Sequence, residues 1–430
     1  MRSIGKLVAT AACASALHAA AHGFASRAGA EVAPGDVVTR ESADKVKGLV
    51  SPGVEWLVRR GMEMTIVPYR KYECPPQIRE ATEKHSGQVT IGADGGLENW
   101  VAGIPFPRID PSDPQAGLKV MFNVTHPPTL TDDLGLHLLD AESGTIPTDP
   151  TAAGFEVERH FVIEWIRFLN YMGRLEVEPK PGLPNNDEGV YRKMAQYPFL
   201  EPFDLKGVGL LSFRYLSPQK QDDTWLHLPQ MRRVRRLSSA QRSDALFGQD
   251  VDLDSYNIYM GHAAWFDWKL LGEKEMLGSV HGVNLPAKLC TGNGGATFCE
   301  NWEMRPVWIV EGRAKLPGYA YSKRVIYVDK EVLQPLYSDL YDPAGELWKV
   351  LVHNLRVSTK PNPKGTLEYP YELPFIYGFL AADMQLNHLT RVAIPGRDFK
   401  DEPGWYFNFG DKYGNAEDTF TVTAMLAAGR

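Results

Sequence analysis

Histidine and carboxylate pairs are the first residues to test, because a metal ion or a proton relay needs them at fixed spacing. His160 and Glu164 stand four apart. On a helix that spacing presents two side chains on one face. A hydrogen-bonded pair at a helix start meets the same pattern without a metal, and it is the preferred reading. His126 follows an extended run in NVTHPP, where a turn-stabilising role is preferred over a catalytic one. Asp250, Asp252 and Asp254 alternate like a divalent-cation loop but lack the glycine and closing glutamate of a calcium loop, so capping or salt bridging is expected. The glycine-rich TGNGG does not join a strand to a helix and is a poor phosphate cradle. The chain has no GxSxG elbow, no GxxxxGK[ST] loop and no HExxH. No catalytic residue, metal ligand or cofactor is therefore assigned. An enzyme acting on a hydrophobic substrate would require His126, His160 and Glu164 to converge.

Cysteine and arginine carry more. Cys290 and Cys299 bracket the glycine-rich loop with no partner motif for a metal, so a disulfide is expected. Closing so short a ring is worth about 2–3 kcal/mol. Cys74 is left as a buried free thiol. Arg232, Arg233, Arg235 and Arg236 crowd into an acidic protein just after TWLHLP. On a strand they divide between both faces, Arg232 and Arg236 with Val234, Arg233 and Arg235 with Leu237. Salt bridges to Asp222, Asp223 and Asp250 are the plainer expectation. The sharper one is contact with an anionic head group or a partner protein.

These residues need elements to hold them. Met1 to Ala30 reads as a leader: Arg2 and Lys6, an alanine-rich apolar stretch, then Ala28-Gly29-Ala30 as a cleavage signal. Cleavage near Ala30 would remove Cys13 and imply export, most simply to a periplasm. The chain has 430 residues, room for two or three domains of ~150 residues or one large β-rich domain. Its formal charge of −7 argues against a general nucleic-acid binder. No later segment reaches the ~18 consecutive apolar residues of a membrane span. Residues 31–95 lean helical, with runs at SADKVKGLV, VEWLVRRG and Gln77 to Lys84. Gly117 to Val124 is a strand candidate. Over 155–179, Phe161, Trp165, Phe168, Leu169 and Met172 recur at helical spacing, and this is the clearest predicted helix. From Gly207 the pattern is β. Strands of about ten residues, broken by Pro317-Gly318, Asp329-Lys330 and Asp342-Pro343-Ala344-Gly345, predict an antiparallel meander over 303–358, with further strands near 373–383 and 387–394. The expected domain map is a leader over 1–30, a helix-leaning segment over 31–95 and a curved-sheet domain over 96–430.

Several motifs are familiar together. They are AT-K-SGQV from Ala81 to Val89, the GIPFP box at 103–107 with DPSDP-AGLKVMFN after it, DDTWLHLPQMRRVRRL at 222–237 and RSDALFGQDVDLD at 242–254. FDWKLLGEKEM at 266–276, RVIYVDKE---P at 324–335 and SDLYDPAGELWKV at 338–350 complete them. In these the chain resembles an uncharacterised exported bacterial family, domain of unknown function 1329, labelled outer membrane lipoprotein-sorting-like and related to the LolA/LolB carriers. The resemblance covers nearly all of the chain after the leader. The Cys290–Cys299 loop lies outside it. It implies a mainly β (α+β) fold: a strongly curved antiparallel sheet, an unclosed barrel, with helices plugging the concave face. The cavity of such carriers shelters acyl chains, each buried methylene being worth ~0.8 kcal/mol.

The reading is thus a non-enzymatic periplasmic carrier or binding protein for a lipid, a lipoprotein acyl chain or another hydrophobic compound, delivering it to or from the outer membrane. Phe161, Trp165, Phe168, Trp225, Trp308, Tyr327 and Trp348 are the candidate cavity lining. The alternative is an adaptor docking onto an envelope transporter or outer-membrane protein. It predicts a filled interior and a large exposed apolar patch.

Overall fold

Runs of β-branched and aromatic residues, cut by tight turns, fold as long antiparallel strands. The computed structural model describes residues 32–148, 154–292, 295–360, 368–399, 401 and 403–429. The leader, its cleavage signal and Cys13 lie outside the described residues.

The principal strands are β1 (Asp133–Thr145), β2 (Glu156–Asn170), β3 (Val190–Gln196), β4 (Gly209–Tyr215), β5 (Asp223–Leu228) and β6 (Arg233–Arg236). A second series follows: β7 (Phe266–Gly278), β8 (Glu300–Ala314), β9 (Lys323–Asp329), β10 (Pro335–Tyr341), β11 (Leu347–Ser358), β12 (Leu373–Asp383) and β13 (His388–Ala393). Each series is an antiparallel meander pairing neighbour to neighbour. The last strand then pairs with the first, His388 opposite Thr145 and Ala393 opposite Asp140, which fuses the two meanders. With short strands such as Met64–Ile66, which runs parallel to the start of β8, the sheet has 17 strands among the described residues. Among the described residues β6 and β7 do not pair with each other, so the sheet stays open there. The expected class holds: mainly β, a large unclosed sheet and few helices.

Two expectations are overturned, and they exchange places. The predicted helix over 155–179 is strand β2. Its residues carry helical spacing by coincidence. The strand lies in the middle of the sheet with apolar residues on both faces, so no clean alternation betrays it. The predicted strand at Gly117 to Val124 is instead the helix α3 below, because an apolar run of that length fits a buried helix equally well. The helices are α1 (Pro52–Arg59), α2 (Pro76–His85), α3 (Ala116–Thr125) and α4 (Val422–Ala428). The plug of the sheet is therefore α3, and not the 155–179 segment.

Helix α3 is buried on nearly every side. Asn123 ties it to the GIPFP box: its Oδ1 accepts from the Phe106 N–H at 3.0 Å and its Nδ2 donates to the Phe106 carbonyl at 2.8 Å. Gly117 lets the helix touch β7, since a Cβ there would lie 2.8 Å from the Leu270 nitrogen. Cys290 and Cys299 are disulfide-bonded. Cys74 is free and half-buried, and burial pushes its thiol up to about 11. No helix among the described residues is long and apolar enough to cross a membrane.

Candidate functional site

Seven neighbouring strands, β11, β12, β13, β1, β2, β3 and β4, send side chains into one cavity of about 150 Å³. Only a strongly curved sheet can do that. The wall is apolar, built from residues such as Leu134, Leu136, Ile163, Phe168, Phe375 and Val392. The opposite side is closed by Val124, Pro127 and Leu130, at and just after the end of α3, and by Val251, Tyr256 and Met260. Most of such a wall offers water no hydrogen-bond partner.

A few polar groups face this space. His353 is buried, and burial pushes it down to about 3, so it is a neutral imidazole. Its Nδ1–H donates to the Pro335 carbonyl at 2.8 Å, which leaves Nε2 as an acceptor without a partner among the described residues. Gln334 donates to Thr129 Oγ1 at 3.1 Å, and its own Oε1 is likewise unpartnered. Gln196 Oε1 is a third such acceptor. At the other end stand Arg192 and Arg214.

A second cavity of about 50 Å³ adjoins the first and shares Phe168, Arg192, Met194, Arg214 and Met260 with it. It continues to Thr224, Leu237 and Ser238. Arg214 Nε donates to Asp222 Oδ1 at 2.8 Å, and Arg242 bonds both Asp222 and Asp254 at 2.9 Å. Burial alone would raise the Asp222 carboxyl, but the two guanidinium groups outweigh it and hold the carboxyl down at about 2.

The residues singled out from sequence fall as follows. Phe168 lines both cavities. Phe161 is buried under the Arg159 guanidinium, and Trp165 stacks on His137 at 4.2 Å. Trp225 packs edge-on to Phe213 in a small cluster with Phe420 and Met425. Trp308 donates to Glu273, Tyr327 rests on Tyr337 and Trp348 donates to Asp383. None of these six is among the cavity lining. His160 and Glu164 do not form a pair. On a strand they are four residues apart along an extended chain, and His160 instead contacts Asp140 at 2.8 Å and Glu201 at 3.0 Å. His126 closes the end of α3 on the Phe122 carbonyl, between the rings of Trp100 and Tyr191. His126, His160 and Glu164 share no partner among the described residues. The aspartates act as salt-bridge and hydrogen-bond partners: Asp250 with His388, Asp252 with Ser255 and Tyr321, Asp254 with Arg242. No group of three or more metal-ligating side chains occurs among the described residues.

Of the arginine run, Arg236 pairs with Asp223. Arg232 takes a left-handed turn conformation before β6, so it does not share the face of Val234 and Arg236. Asp222 and Asp250 belong to other partners, and Arg232, Arg233 and Arg235 have no ion pair among the described residues.

The cavity's polar residues were not singled out from sequence. Arg192, Met194 and Gln196 alternate on β3 and so share one face. That signal is readable in VYRKMAQ once the segment is taken as a strand.

The family described as "Protein of unknown function (DUF1329)" matches residues 37–425. The chain belongs to that family. Among its DUF1329 relatives is a crystal structure from Desulfovibrio piger, 17% identical, covering 73% of this chain and all of that one, with a TM-score of 0.46. A putative outer membrane lipoprotein-sorting protein domain from Vibrio parahaemolyticus is also 17% identical, over 73% of this chain and all of that one, with a TM-score of 0.48. A LolA superfamily protein from Nitrosomonas europaea is 12% identical over 64% of this chain and 90% of that one, with a TM-score of 0.35. An uncharacterized protein of Pseudomonas aeruginosa, PA3922, is 24% identical over 82% of this chain and 76% of its own length.

Proposed function

We propose that this DUF1329 protein is a periplasmic binding protein or carrier for a lipid or other hydrophobic compound, and that it performs no covalent chemistry on it. The observation that carries this reading is the apolar cavity between the curved sheet and the end of α3. Burying apolar ligand surface there gains roughly 25 cal/mol per Å². The candidate enzyme residues His126, His160 and Glu164 stand apart from one another and do not line it. The adaptor reading predicts a large exposed apolar patch, and no such surface among the described residues carries an argument as the apolar cavity does.

The cavity of about 150 Å³ is smaller than the ~300–1,000 Å³ of ordinary ligand pockets, so a long ligand must widen it. Parts of its wall lie outside the sheet ladder, among them Val124 and Thr125 at the end of α3, the 127–130 segment and the 249–260 segment.

The test is native mass spectrometry of protein purified from its own periplasm, followed by solvent extraction and lipid analysis. A hydrophobic molecule at about one per chain is expected. Ala141 lines the cavity, and Ala141→Phe fills part of it. This variant should lose most of the bound ligand, with a destabilisation of about 1–3 kcal/mol at most. An empty wild-type protein that also refuses a fluorescent fatty-acid probe would move the adaptor reading to first place.

A further inference from the structure

The two cavities meet at Arg192, and its surroundings differ from those of the other guanidinium groups there. Arg192 Nε donates to Asn170 Oδ1 at 2.8 Å, and Nη2 donates to the Tyr191 hydroxyl at 2.8 Å. Nη1 has no hydrogen-bond partner among the described residues, and neither does the group have a carboxylate within ion-pair distance. Arg214 and Arg242, by contrast, are neutralised by Asp222 and Asp254. Burial pushes the Arg192 pKa down, as expected for a cation withdrawn from water without a counter-ion. A half-buried charge of this kind is costly unless something pairs with it.

We propose that Arg192 is the head-group anchor of this cavity, and that the ligand is an amphiphile with an oxyanion head, carboxylate or phosphate, on an apolar body. This rests on the carrier reading. Guanidinium is well suited to the role because its donors match an oxyanion in geometry as well as in charge. The far end of the cavity sets the orientation. His353 Nε2 and Gln334 Oε1 there are unpartnered acceptors with no cation beside them among the described residues and repel an anion; Gln196 Oε1 is a third, but it lies on the same face of β3 as the Arg192 guanidinium. From β3 to β11 the wall crosses β2, β1, β13 and β12, so the lining spans five strand-to-strand steps. The anion therefore sits at Arg192 and the apolar body extends along β2 and β1, past Phe168, Ile166 and Leu136.

The experiment uses the delipidated full chain after its leader and two probes, 11-(dansylamino)undecanoic acid and its methyl ester, titrated by fluorescence. The wild type should bind the acid about ten-fold more tightly than the ester, the ratio one charge-assisted contact supports. Arg192→Gln should abolish that preference while leaving ester affinity within about two-fold, and Arg192→Lys should keep part of it. Displacement of the acid by dodecanoate or by dodecyl phosphate then shows which oxyanion is preferred. Equal wild-type affinity for acid and ester would overturn the anchor and leave the carrier intact. So would an Arg192→Gln variant that weakens both probes alike. A wild type that binds neither probe would sink the carrier reading, and the anchor with it. Should Arg192→Gln fail to fold, the wild-type comparison of acid with ester decides alone.

Discussion

Asp339 is fully buried where α1 begins, accepting from Ser51 Oγ at 2.7 Å and lying 3.4 Å from the Gly53 nitrogen. No cation among the described residues pairs with it, and burial pushes its carboxyl up to about 7. The folded state thus holds a proton that the unfolded chain, with a carboxyl near pKa ~3.9, gives up. The stability this contributes is complete below about pH 4 and is lost as pH rises through about 7. Asp339→Asn resembles the protonated form. It should melt higher than the wild type at pH 8 and lose that advantage by pH 4, in thermal scans across the range. An offset that stays constant with pH would show that ionisation of Asp339 is not the cause. His353 works in the opposite sense. Its neutral folded form leaves the unfolded state as the better proton acceptor below pH ~6.5, so its contribution is lost on acidification.

Among the elements, α3 matters most, because it forms the side of the cavity that the sheet does not. Its contact with β7 depends on Gly117. Glycine inside a helix normally costs ~1 kcal/mol relative to alanine, so Gly117→Ala would ordinarily stabilise. Here the added Cβ would meet backbone atoms of Trp268, Lys269 and Leu270 at 2.8–2.9 Å, and backbone cannot step aside as a flexible side chain can. The sign should invert. Gly117→Ala should destabilise by about 1–3 kcal/mol in urea unfolding and should enlarge the uptake of a hydrophobic probe as the plug lifts. A variant more stable than the wild type would mean that α3 is not seated on β7.

For the whole molecule, the decisive feature is that the sheet remains open between β6 and β7. Unpaired strand edges invite pairing with another chain. Both edges are protected in the usual ways. Strand β6 has four residues and carries exposed Arg233, Arg235 and Arg236; β7 exposes Asp267, Lys269, Lys274 and Glu275 and has a bulge between Leu270 and Gly272. This gives the arginine run a role that needs no ligand. Arg233→Ala combined with Arg235→Ala should raise concentration-dependent self-association in sedimentation velocity while leaving the melting temperature unchanged. A variant that stays monomeric but retains less ligand would instead assign these arginines to a head group or partner.

Much of this architecture was legible along the chain. The hairpin strands over 300–358 carry their own turn residues, and Cys290 and Cys299 are close enough in sequence for their bond to be read locally. The family motifs added the curved, unclosed sheet. What local pattern cannot report is burial on two faces. β2 from Phe161 onward and α3 are covered on nearly every side, so each lost the alternation or stripe that identifies its type, and the two readings exchanged. Nor does the chain announce which distant strands meet. Thr390 bonds Ser143 across 247 residues of sequence, and that pairing of β13 with β1 is what bends two meanders round one cavity. The sequence alone therefore determined the hairpin strands over 300–358, their turns and the disulfide, because these depend on neighbours. The tertiary structure alone decided which side chains face the cavity, Phe168 but not Trp165, and left Arg192 without a counter-ion among the described residues, because inward direction and charge balance depend on residues far apart in the chain.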